Sequence, residues 1–146
     1  MITYVYPRFQ LSALSGEVNL ATDDLRMVLL TSSYTPDLDA HQHYDDLSGE
    51  LTTADGYTAG GQALTGVSLA YDSATDTVWL DANTVVWDPS SLTARYAALV
   101  DAETGVAATS PLILLWDFEE NKTSDNSEFR LDVHATGLLR VVANPA

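Results

Sequence analysis

Gly66-Val67-Ser68-Leu69-Ala70-Tyr71-Asp72-Ser73-Ala74-Thr75-Asp76-Thr77-Val78-Trp79-Leu80-Asp81-Ala82 is the stretch that decides the fold class. Val67, Leu69 and Tyr71 alternate with Ser68, Ala70 and Asp72, the period of two expected when successive side chains point to opposite faces of a sheet. Ser73 to Asp76 then supplies turn-forming residues before a second apolar run, so the stretch reads as a β-hairpin. Working outward, further strands are expected at 84–87, 95–100, 111–118, 129–134 and 138–142, separated by Pro, Gly, Ser, Asp and Asn clusters. Phe129, Leu131 and Val133 share one face there, while Arg130, Asp132 and His134 share the other. With 25–31 (LRMVLLT) these make about eight strands. Many short strands without regularly alternating helices predict an all-β fold, an antiparallel β-sandwich or jelly-roll-like barrel with one short N-terminal helix.

That helix is expected near the start of the chain. Pro7 suits a first helical turn, Tyr6, Phe9, Ala13 and Leu14 recur at helical spacing, and Gly16 is a natural stop. The chain divides into a helix and extended arm over 1–20, a long connecting loop over 33–62 and the main strand region over 63–146, all in one domain spanning 1–146. In the loop, the run HQHYDDLSGE has room for one helical turn, but Tyr44, Leu47 and Leu51 are too few for an independent core. A loop of this length carries a function or is ordered by a neighbour, which in an assembly is another subunit.

The 146 residues are 46% hydrophobic, enough for one core. There is no cysteine, which excludes disulfides and thiolate metal sites. No stretch approaches the ~18 apolar residues of a membrane span, and the first residues lack the basic and apolar regions of a signal peptide. Synthesis in the cytosol, with no membrane partner, is the expectation. The 21 acidic residues stand against 6 basic ones, a net charge of -15, and Lys122 is the only lysine. Such a surface repels phosphate backbones, so nucleic acid is not expected as a partner. An Asp-rich, lysine-poor surface also suits high salt, where counterions screen the repulsion.

YPRFQLSALSGEVNLATDDLRMVLLTSSYTPDLDAHQHYDDL, GYTAGGQALTG, LTARYAALVDAETGVAATSPLILLWDF and GLLRV resemble segments of small structural proteins of tailed bacteriophages and related archaeal tailed viruses. The resemblance runs over nearly the whole chain, and YTAGGQALTG followed by ARYAALVD is its most specific part. It implies a virion protein made in the host cytoplasm, with the major capsid or other virion proteins as partners. Capsid decoration is the first expectation and a neck, tail or fibre component the second. The resemblance carries no catalytic residue and no cofactor.

His41 and His43 lie two apart beside Asp39, Asp45 and Asp46, a weak candidate metal site if the loop folds back toward His134; a solvated polar loop is the preferred reading. Asp23-Asp24, Asp37/Asp39 and Asp45-Asp46 lack the ligand spacing of an EF-hand loop, which leaves diffuse cation binding. Gly60-Gly61-Gln62 matches the catalytic tripeptide of peptide-release factors, but a chain at -15 is repelled by ribosomal RNA. The glycines read better as a positive-φ turn leading into a strand. No G-x-S-x-G, H-E-x-x-H or phosphate-loop pattern occurs, so an enzyme is not expected. Asn121-Lys122-Thr123 matches a glycosylation acceptor in a polar loop. Trp79, Trp87 and Trp116, each followed by an aspartate, are expected as core or interface anchors, with recognition of a host-surface glycan as the alternative. Tyr4, Tyr6 and Phe9 join them as interface candidates for a symmetric homo-oligomer, with a trimer favoured by the local symmetry of a capsid lattice.

Overall fold

The computed structural model describes residues 1–144 and is an all-β sandwich with one short helix. In chain order the elements are β1 (Ile2–Val5), α1 (Pro7–Leu14), β2 (Leu25–Leu30), β3 (Gln62–Ala63), β4 (Ser68–Asp72), β5 (Thr77–Asp81), β6 (Val85–Ser90), β7 (Thr93–Asp101), β8 (Leu112–Thr123), β9 (Ser127–Leu131) and β10 (Leu139–Val142). Three sheets result, ordered β1-β8-β7-β2-β3, β10-β5-β4 and β6-β9, and every strand pair within them is antiparallel.

The five-stranded sheet is buried on both faces, which is why its strands read as continuous apolar runs. The register puts Met27, Leu29, Ala97, Leu99, Leu114 and Trp116 on one face. There the two smaller sheets close the core, with Trp87 edge-on to Phe129 and Phe129 against Phe118. Val28, Leu30, Tyr96, Ala98 and Leu115 occupy the opposite face, where Tyr34 meets Tyr96 edge-on at 5.6 Å and its hydroxyl hydrogen-bonds that of Tyr6 at 2.9 Å.

The 66–82 hairpin forms as expected, with Leu69 opposite Leu80 and Tyr71 opposite Val78. Helix α1 starts at Pro7, and Gly16 follows it at φ 86°. Strand β1 was not expected. It is four residues at a sheet edge with mostly exposed side chains, so it carries no burial pattern, and its pairing with β8 supplies its order. Strand β9 ends at Leu131, which leaves Val133 outside the face it was expected to share.

The 33–62 loop departs furthest from expectation. Its partner is the chain itself: Leu51 N–H donates to Leu29 O, Thr31 N–H to Gly49 O and Leu64 N–H to Leu25 O, so the loop satisfies the open edge of β2. Tyr57 is buried, accepts the Leu29 N–H at 3.2 Å and donates to Glu50 Oε1 at 2.7 Å. Glu50 also accepts from Gly60 N–H at 2.7 Å and from the Tyr44 hydroxyl. A carboxylate in the middle of the loop therefore ties three of its turns together.

Candidate functional site

Helix α1 and β10 are brought side by side by the chain's two ends, and between them runs a groove of about 450 Å³. Val5, Phe9, Ala13, Leu14, Leu139 and Val141 line it, with Gln10, Arg140 and Val142 completing the wall. Beside the groove, strand register continues the Leu139 and Val141 face across the sheet. Leu69, Leu80 and Leu139 form one cross-strand row, and Tyr71, Val78 and Val141 form the next row on the same face. Leu80 and Leu139 are buried, but the second row is left bare, with Tyr71 63% and Val141 57% exposed. On the helix side Leu14 is 89% exposed. In a chain with 21 acidic residues, no carboxylate among the described residues lines this groove. Contiguous apolar surface of this kind differs from the singly scattered exposed apolar residues ordinary on a protein surface.

The opposite face of the β10-β5-β4 sheet holds a smaller cleft of about 220 Å³ around Trp79. Trp79 lies in the row Ala70–Trp79–Arg140, and Asp72, Thr75, Thr77 and Thr136 surround it. Gly137, at φ 88°, packs close to the indole: a Cβ there would stand 3.5 Å from the ring and 2.5 Å from Leu80 O. Asp72 is held in the hairpin turn by Ala74 N–H at 2.9 Å and the Thr75 hydroxyl at 3.1 Å.

Of the interface candidates, Tyr6, Phe9, Trp87 and Trp116 are buried in the chain's own core, so their surface is not free for another subunit, although the edge of Phe9 reaches the groove. Tyr4 and Trp79 are half-buried. Asp81, two residues along β5 from Trp79, shares its face, whereas Asp117 points away from Trp116 and is paired with Arg95 at 2.9 and 3.3 Å, and that guanidinium holds its carboxyl below the usual range. Asn121-Lys122-Thr123 lies at the end of β8 and not in a loop.

His41 and His43 turn to different partners. His41 Nδ1 sits 2.8 Å from the Tyr34 hydroxyl, and His43 Nε2 is 3.5 Å from a Glu17 carboxylate oxygen. Among the described residues no three His, Asp or Glu side chains converge on a point that would hold a metal ion. Asp46 is not a free solvated acid: one oxygen accepts the backbone N–H of Gln42 at 2.8 Å and of His43 at 2.9 Å, and these bonds hold its carboxyl below the ordinary range.

One titratable group is unusual. Asp101 is 1% exposed, has a carboxylate oxygen without a hydrogen-bond donor and lies beside Asp23. Burial first, then the neighbouring Asp23 carboxylate, pushes its pKa up to about 7.

The reading of single strands missed the groove, because its parts lie at opposite ends of the chain. The available signal was GLLRVV, where apolar residues of both parities flank one arginine in a strand too short to be buried on both faces. No protein-family model matches the chain, and no curated protein or solved structure matches it either. Among the described residues no helix is long and apolar enough to cross a membrane.

Proposed function

We propose that the protein is a structural subunit of a tailed-virus particle, a capsid decoration or cement protein that acts by burying surface and not by catalysis. The observation that carries the reading is the bare apolar face shared by α1 and the β10-β5-β4 sheet. The resemblance of the chain's segments to virion proteins points the same way. The occupant of the face is a second copy of the chain. Two chains at -15 repel each other over most of their surface, and this groove is a place where they can meet without setting carboxylate against carboxylate. A closed ring repeats one such interface, and a trimer matches threefold positions on a capsid lattice. The ring then rests on the major capsid protein and bridges capsomers.

The test is addition of purified protein to particles that lack it. Saturable binding that raises resistance to heat and osmotic shock is the expected result. The double variant Leu14→Asp/Val141→Asp, altered only at exposed positions, should fold but fail to oligomerise and bind. Particles that neither contain nor bind the wild-type protein would overturn the reading.

A further inference from the structure

Trp79 lies on the face of the β10-β5-β4 sheet opposite Val78 and Val141. Trp87 and Trp116 are spent on the core, whereas Trp79 is half-exposed at the centre of a polar hollow. Four of the six basic side chains are paired with carboxylates, namely Arg26, Arg95, Lys122 and Arg130, and Arg8 donates to the carbonyl of Asp39. Arg140, directly across the strand from Trp79, has no hydrogen-bond or ion-pair partner among the described residues. In so acidic a chain an unpaired guanidinium beside an accessible indole is a binding arrangement left open.

We infer that the Trp79 cleft binds one ring of a neutral hexose glycan. The indole offers a flat apolar surface for the C–H face of a pyranose. Arg140 presents a planar fork of donors, while the Asp72 carboxylate and the Thr75 and Thr136 hydroxyls present acceptors at the rim, the combination that vicinal hydroxyls require. The rim is held in advance: Asp72 by its turn, and Thr136 by a 2.8 Å bond between its hydroxyl and His134 Nδ1. Preorganised polar groups around an apolar floor cost little ordering on binding. At about 220 Å³ the cleft is smaller than the ~300 Å³ at which drug-sized sites begin, and takes a single ring with the rest of the chain in solvent. The net charge of -15 disfavours uronic or sialic acids and selects the neutral sugar. Trp79 faces away from the Leu139 and Val141 rows, and Arg140 borders both hollows, so the indole side of the cleft stays open to a cell-surface glycan in a subunit held on a particle.

Ligand-observed NMR on the full chain tests this with methyl α-glucoside, α-mannoside and α-galactoside, glucuronate, and a short peptide with a free C-terminal carboxylate. At least one neutral glycoside should bind, with affinity reduced about tenfold or more in Trp79→Ala and severalfold in Arg140→Gln. Arg140 is exposed, so its variant keeps the test valid should Trp79→Ala unfold. Absence of binding by all three glycosides, equal binding by Arg140→Gln, or preference for glucuronate or the peptide would overturn the assignment. Binding to particles is read separately, so the assembly reading stands or falls independently.

Discussion

Gly61 sits at φ 79°, and a Cβ there would stand 2.2 Å from the carbonyl oxygen of Met27. A side chain would be strained by the backbone and would push β3 off the edge of β2. Gly61→Ala should therefore cost about 2 kcal/mol or more, read as a lower denaturant midpoint. The need for positive φ was legible in the Gly60-Gly61 pair; the close approach to β2 was not, because it depends on a strand 34 positions earlier. Asp101 gives a second prediction at this scale. Its folded pKa of about 7 lies above the unfolded value, so the folded state holds the proton more tightly and the group adds stability as pH falls. That contribution is complete near the unfolded pKa and is lost as pH rises through about 7. Melting temperature should climb between pH 8 and 5, and Asp101→Asn should flatten this part of the climb. An unchanged profile in the variant would mean that Asp101 does not hold the proton. Asp46 acts with the opposite sign, its stabilisation fading as pH falls through its lowered pKa.

Strands with one wet face were readable, and so were the buried strands, because period-two alternation and unbroken apolar runs are properties of the local sequence. The helix was readable from Pro7 and Gly16 for the same reason. Strand β1 and the 33–62 loop were not, since their order comes from partners distant in sequence: β8 for the first, the β2 edge for the second. The histidine-aspartate run illustrates the cost of missing such partners. Asp45 is exposed with no hydrogen-bonded side chain, and Asp45→Ala should be neutral. His41 meets Tyr34, and Asp46 closes the single turn at 44–46, so His41→Ala and Asp46→Ala should each lose about 1 kcal/mol in chemical denaturation. Equal effects at all three positions would return the segment to a plain solvated loop.

For the whole molecule, the proposed oligomer sets two terms against each other: long-range repulsion from a charge of -15 and short-range burial of the α1–β10 face. Salt shifts the balance, because the Debye length falls to about 3 Å at 1 M and repulsion is screened while burial is not. Oligomer and fold should both be more stable in molar than in millimolar salt, by light scattering and by melting temperature. A melting temperature that stays flat on dilution of salt would make this an ordinary acidic protein. The composition announced the charge, but where the charge is absent was visible only once the two chain ends met. Mass spectrometry of purified particles of the virus proposed to encode it, before and after selective stripping of the outer capsid layer, tests the central claim most directly. The account predicts the protein in intact particles, in multiples of three, with loss on stripping and a parallel loss of heat resistance; its absence from purified particles would contradict it.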